Sequence, residues 1–81
     1  MKYHCTRTTD LHELIGQDGA DGFEYGPLSN ALKRGEDLVL VNSYLLSRLM
    51  IAKIHYVLSG LFIVETEETL YAPPHFKLVL H

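Results

Sequence analysis

Apolar residues occur along this chain in two alternating patterns: short runs, and longer stretches with helical spacing. The short runs predict strands at residues 2–7, 37–41 and 76–80. The second run is almost continuously apolar and is bounded by turn signals, which is typical of a strand that is buried on both faces. Strands that alternate with helices predict a parallel sheet with right-handed crossover connections.

Two short helices are predicted from the residues at their ends. Asp10, followed by Glu13 three residues later, has the spacing of a capping box, and Gly16 would end that helix. Pro27 suits the first turn of the second helix, and Gly35 would end it.

A longer third helix is predicted directly after the central strand. Asn42 or Ser43 would cap its start, and Gly60 would end it. Two adjacent apolar stripes run along this segment, so we expect a helix that is largely buried against the sheet.

The remaining segments complete the predicted fold. Residues 17–26 are polar and rich in glycine, which indicates a flexible loop. Residues 61–73 have two β-rich arms about a polar tip at 66–69, which predicts a β-hairpin. The expected fold class is therefore α/β, with a short three-stranded parallel sheet, packed helices and one β-hairpin.

Length and composition limit the class of protein. With 81 residues, of which 47% are hydrophobic, we expect one domain with a core of its own. The net charge of −3 gives no electrostatic support for nucleic-acid binding. The lone cysteine, Cys5, excludes an internal disulfide and is typical of the reducing cytosol. No signal peptide is evident, and the most apolar stretch carries charges, so we expect a soluble cytoplasmic protein without membrane contact.

Candidate chemistry is sparse in this sequence. The five histidines and Cys5 lack the spacing of metal ligands, so no metal site is predicted. Cys–His catalysis would need a third orienting group, for which the sequence gives no sign. The carboxylates of "ETEET", residues 65–69, are interpreted as a solvated turn, with a cation site or a contact to a basic protein partner as the alternatives.

Several stretches, taken in order, resemble one known family. "TTDLHELIGQ" is similar to the segment after the second core strand of AAA+ ATPases of the MoxR/NorQ/CobS type. "GFEYGPLSNALKRGEDLVLVN" is similar to the stretch that leads into their Walker B strand. "LSGLFIVETEETLYAPPHFKLVLH" is similar to their hairpin and sensor-one strand. The resemblance extends from about Tyr3 to His81 and implies a single truncated AAA+-like domain, residues 1–81.

The chain departs from this family where the family carries its chemistry. Its glycines include no GxxxxGK[ST] phosphate-binding loop, which the family places before the segment that begins here. Val41 and Asn42 occupy the Walker B position, where the family usually has an Asp-Glu pair. Valine cannot hold water on Mg²⁺, and a neutral amide is a poor general base. The resemblance therefore implies a catalytically inactive relative that has no catalytic residues and no cofactor.

The family's strand order also implies a place for a partner. The C-terminal strand would pair with the central strand on one side only, and an unpaired strand edge can accept another chain. This possible interaction edge comprises Phe76, Lys77, Leu78, Val79 and Leu80. The competing interpretations are that the C-terminus frays or that the hairpin folds over the edge.

The function predicted from the sequence is therefore not enzymatic. We expect a protein–protein interaction module, or a remnant without activity, whose partner at residues 76–81 is a second copy or another AAA+ subunit. The alternative is a nucleotide-binding subunit that completes an ATPase site in trans with a chain that bears the P-loop.

Overall fold

The structure is a computed structural model that describes all residues from Met1 to His81. Its elements, in chain order, are β1 (Lys2–His4), α1 (Leu11–Ile15), β2 (Gly16–Gly19), β3 (Gly22–Tyr25), α2 (Pro27–Arg34), β4 (Leu38–Val41), a 3-10 helix (Ser43–Leu45), α3 (Arg48–Val57), β5 (Leu61–Ile63), β6 (Glu68–Leu70) and β7 (Leu78–Leu80).

The predicted parallel sheet is confirmed, with strand order β1-β4-β7. In β4, Val39 lies opposite Lys2 of β1 on one side and opposite Val79 of β7 on the other. Both outer strands are shorter than predicted, although Cys5, just after β1, still donates its backbone N–H to the carbonyl of Val41 at 2.8 Å. The central position of β4 explains its nearly continuous apolar sequence.

The core forms where α1, α2, α3 and the β5–β6 pair meet β4. Eleven hydrophobic residues are buried there. Leu38 and Leu40 of β4 are completely buried, as are Leu14 of α1, Leu28 of α2 and Ile54 of α3. Each such side chain contributes about 1.5–3 kcal/mol relative to an exposed position, so these five are a large part of the stability of a small domain.

The ends of α1 and α2 follow the sequence signals, with one difference. Asp10 caps α1, since its Oδ1 accepts the backbone N–H of Glu13 at 2.9 Å. The capping box is only half formed, because the Glu13 carboxylate accepts the hydroxyl of Tyr3 at 2.9 Å instead. Gly35 ends α2 in the left-handed conformation, with φ 69° and ψ 25°, as a C-terminal glycine does.

The prediction of a flexible loop at residues 17–26 is wrong. β2 and β3 pair antiparallel there, with Asp18 opposite Phe23 and a two-residue connection at Ala20 and Asp21. Phe23 and Tyr25 are half-buried and alternate with the exposed Glu24, which is the period of two that a strand requires. The glycines that suggested a loop instead serve the turn, since Gly22 has φ 120°.

The third helix differs from its prediction in extent and in burial. The predicted continuous helix is interrupted, because Leu46 is extended between the 3-10 helix and α3. Ser47, not Asn42 or Ser43, caps α3, and its Oγ accepts the N–H of Met50 at 3.0 Å. Only Ile54 of α3 is buried, so the expectation of a largely buried helix is wrong.

The second hairpin is confirmed at β5 and β6, where Phe62 lies opposite Thr69. Its turn falls at residues 64–67, slightly earlier than predicted, and Glu67 adopts φ 54° within it. None of the helices combines the length and the apolar character that a membrane crossing requires.

Replacing Gly35 by alanine tests the helix end. We expect Gly35→Ala to lower the free energy of unfolding by about 1–2 kcal/mol, because a β-carbon is disfavoured in the left-handed region. An added Cβ would also lie 3.2 Å from Nε2 of His75. Gly35→Asn is the matched control, since asparagine tolerates this conformation better. Urea unfolding measures both, and equal stability of the alanine variant and the wild type would contradict the assignment.

Candidate functional site

The carboxyl ends of the parallel strands are the first candidate site, because ligands in open α/β sheets bind at this edge. Val41, the last residue of β4, is half-buried, and Asn42 follows it exposed. Asn42 adopts the left-handed conformation, with φ 62° and ψ 38°, and its side chain makes no cap to the following helix. The predicted Walker B position is therefore the last residue of β4 followed by a turn residue, and neither carries a carboxylate.

Backbone contacts at this edge join the end of β7 to the end of β4. The carbonyl of His81 accepts two hydrogen bonds from Ser43, from its N–H at 2.7 Å and from its Oγ at 2.9 Å. The N–H of His81 donates to the carbonyl of Leu40 at 3.0 Å. Sequence reasoning predicted only a possible capping role for Ser43 and missed this contact, because His81 lies 38 residues away along the chain. These contacts join His81 to the end of β4 and to Ser43.

An open cavity of about 280 Å³ lies beside these strand ends. Its charged lining residues are Arg7, Asp10 and Lys53. The Asp10 carboxylate also caps α1 through its Oδ1. The lining therefore carries two cations and one carboxylate.

The residues considered for metal binding or nucleophilic catalysis lie apart. No group of three His, Cys, Asp or Glu side chains is arranged to hold a metal ion. Cys5 is buried in the core cluster, and burial raises the pKa of its thiol, which disfavours the reactive thiolate. Cys5 thus packs as a small hydrophobic residue, as its strand position suggested.

The outer edge of β7 is the second candidate site. The N–H of Leu38 donates to the carbonyl of Lys77, and the N–H of His81 donates to the carbonyl of Leu40. The backbone groups of the odd-numbered residues 77–81 therefore face β4. Those of Leu78 and Leu80 therefore point away from the sheet, where β7 has no neighbouring strand. The β5–β6 hairpin forms a separate sheet and does not pair with this edge.

The approach to β7 is held by polar contacts. Phe76 donates its N–H to the carbonyl of Pro73 at 2.9 Å, and the N–H of Lys77 donates to Oδ1 of Asp37 at 3.0 Å. Within β7, Leu78 and Val79 are half-buried and Leu80 is 39% exposed. The five residues predicted as an interaction edge thus divide into two groups. Phe76 and Lys77 precede β7 and are held by hydrogen bonds, whereas Leu78, Val79 and Leu80 form the strand whose outer side is unpaired.

A cluster of three side chains fixes the β5–β6 hairpin to the body of the domain. The hydroxyl of Tyr25 donates to Glu68 Oε1, and Lys33 Nζ lies 3.5 Å from Glu68 Oε2. The same ammonium lies 3.9 Å from the centre of the Tyr25 ring, a cation–π contact. The hydrogen bond from Tyr25, aided by Lys33, lowers the pKa of Glu68, and the Tyr25 contact chiefly raises the pKa of Lys33.

The fold and its edges define a small α/β domain built on a three-stranded parallel sheet. Comparison with protein-family models, with curated proteins and with solved structures finds no match to this chain. The resemblance to AAA+ ATPases and the function that it implies therefore remain predictions.

The Tyr25–Glu68 contact makes a prediction about pH. The pKa of Glu68 in the fold lies below its ordinary value of 4.5, so its contribution to stability is present above pH 4.5 and is lost as the pH falls through the lowered value. Tyr25→Phe should raise the Glu68 pKa toward 4.5 and weaken this acid-range dependence. Carbon-detected NMR titration of the Glu68 carboxyl measures the shift.

The matched control for this titration is Tyr71→Phe. Tyr71 is 65% exposed and its hydroxyl makes no hydrogen bond within the chain, so its replacement should leave the Glu68 pKa unchanged. A Glu68 pKa that is the same in wild type and in Tyr25→Phe would show that the contact does not persist in solution.

Proposed function

We propose that this chain is a non-enzymatic protein–protein interaction module that acts through the outer edge of β7. The observation that supports the proposal is the one-sided pairing of an apolar strand, with the backbone groups of Leu78 and Leu80 directed away from the sheet. An extended segment of another chain can add to such an edge, and backbone hydrogen bonds then supply the affinity.

The composition of β7 favours strand addition. Proteins commonly protect edge strands by making them very short or by adding proline or charged side chains. β7 (Leu78–Leu80) is short, with three residues, but it contains no proline and no charged side chain. The partner is a second copy or another ATPase-like subunit that presents an apolar strand. The buried thiol of Cys5 is compatible with a cytoplasmic location.

The proposed absence of ATPase chemistry is supported by the end of β4. Val41 and Asn42 place a methyl-bearing side chain and a neutral amide where a Mg²⁺-dependent hydrolase needs acids. Loss of a general base alone typically costs roughly 10²–10⁴-fold in rate.

A second candidate function is nucleotide binding in trans with a chain that carries a P-loop. One observation favours it: the cavity at the strand ends places the cations of Arg7 and Lys53 beside an opening of about 280 Å³. Phosphate groups would find complementary charge there, although no phosphate-binding loop is provided by this chain.

Proline at position 80 tests the edge of β7. Leu80→Pro removes an N–H that points away from β4 and should weaken self-association by about tenfold or more, because proline cannot donate to an added strand. Leu80→Ala is the control, since it keeps the N–H. Sedimentation equilibrium from micromolar to millimolar protein measures association, and a ¹⁵N–¹H spectrum verifies that each variant is folded.

A peptide of sequence FKLVLH, copied from residues 76–81, extends this test to partners other than a second copy. If the edge accepts strands, the peptide should shift the amide signals of Leu78 and Leu80 in the wild type. In Leu80→Pro, where position 80 has no amide, the signal of Leu78 should not shift. A wild-type chain that neither self-associates nor responds to the peptide would contradict the proposed function.

Titration with Mg-ATP distinguishes the two candidate functions. We expect a dispersed ¹⁵N–¹H spectrum whose peaks do not move up to millimolar nucleotide, because the strand ends lack acids and a phosphate-binding loop. Addition of MgCl₂ alone is the control. Saturable shifts at residues 8–10 and at Asn42 and Ser43 would instead favour the subunit that completes a site in trans.

A further inference from the structure

The β5–β6 hairpin exposes an apolar face on the side away from the core. Leu61 and Ile63 are buried, and the side chains that alternate with them point outward. This outer hairpin face comprises Phe62, Val64, Thr69 and Tyr71. Its three large apolar members are 58%, 70% and 65% exposed, respectively. Three adjacent side chains of this kind form a patch, whereas a single exposed apolar residue is ordinary.

Helix α3 exposes a second apolar face. Leu49, Ala52, Lys53 and Tyr56 follow the spacing of neighbours on one side of a helix, and all four are exposed. Leu49 is 66% exposed and Tyr56 is 79% exposed. In this outer α3 face the small Ala52 lies one helical turn from each of the two large side chains.

The two faces carry opposite charges. α3 bears Arg48 and Lys53, both exposed, and has no acidic residue. The hairpin bears Glu65 and Glu67, both exposed at its turn, and has no lysine or arginine. The third hairpin acid, Glu68, is already paired with Lys33. The outer hairpin face is therefore apolar with an acidic border, and the outer α3 face is apolar with a basic border.

We propose that these two faces bind each other between copies of this chain. Both faces are exposed in a single molecule, so a second copy can present to each face the apolar surface and the opposite charge that complement it. A reciprocal pair would place each hairpin on the partner's α3, as a two-fold symmetric interface requires. A stable interface needs about 800 Å² per partner, which is roughly a seventh of the 5272 Å² of accessible surface. This contact goes beyond strand addition at β7, because it uses side chains on other elements.

Charge reversal with complementation tests the proposal. The first variant is Glu65→Lys with Glu67→Lys, and the second is Arg48→Glu with Lys53→Glu. Each variant alone places like charges on both faces, so its dissociation constant should rise by about tenfold or more at low salt. An equimolar mixture of the two variants restores opposite charges at every contact and should associate as the wild type does. Sedimentation equilibrium on fluorophore-labelled chains resolves the mixed species.

Two further samples keep the result interpretable. A single chain with all four substitutions exchanges the charges of the two faces and should self-associate like the wild type. Leu80→Pro tests whether this contact is separate from the outer edge of β7, and charge reversal should weaken association by the same factor in the Leu80→Pro background as in the wild-type background. The substituted positions are exposed, and a ¹⁵N–¹H spectrum of each variant establishes that the fold is retained.

Three outcomes would overturn the proposal. They are a wild-type chain that is monomeric up to millimolar concentration, variants that associate as well as the wild type, and a mixture that associates no better than either variant alone. Association that is abolished by Leu80→Pro and unaffected by charge reversal would assign self-association to the β7 edge. Association that is weakened by charge reversal and unaffected by Leu80→Pro would assign self-association to the outer hairpin and α3 faces. Either proposal can therefore fail while the other holds.

Discussion

The pairing of β4 on both sides is the interaction on which the other parts of this structure depend. β1 and β7 have no other strand neighbour, so neither would be held in the sheet without β4. Its side chains Leu38 and Leu40 are completely buried and form the floor against which the helices pack. A chain of this length buries only about 60% of the surface that it exposes when unfolded. The pairing and burial of this one strand are therefore a large part of what stabilises the fold.

The end of β4 serves the architecture of the domain. Asn42 turns the chain in a left-handed conformation, and Ser43 then binds the carbonyl of His81 through two donors. This contact aligns β7 with β4 and leaves the far side of β7 free to accept another strand. Ser43, the second residue after β4, thus helps to position the proposed interaction edge.

The two proposed contact surfaces differ in their physical basis. Strand addition at β7 depends on backbone hydrogen bonds, which vary little with salt. The outer hairpin and α3 faces depend on apolar burial bordered by opposite charges, and those charges are screened within about 10 Å at moderate salt. The Tyr25–Glu68–Lys33 cluster matters to the second surface because it fixes the hairpin to α2 and β3. A hairpin held in this way presents its outer face at little cost in conformational entropy.

Local signals in the sequence determined the helix ends at Asp10 and Gly35, the β5–β6 hairpin and the three strands of the parallel sheet, because runs of apolar residues and end-capping residues act over a few positions. The order of these strands, with β4 in the centre and β7 at an edge, was expected only from the family resemblance, and the structure has the same order. Tertiary structure alone decided that residues 17–26 pair as strands, that Ser43 binds His81 and that most of α3 faces outward. An apolar stripe on a helix is buried only where another part of the protein packs against it. In this small domain the core has room for one side chain of α3, Ile54, and the other apolar residues of that helix stay partly or fully exposed.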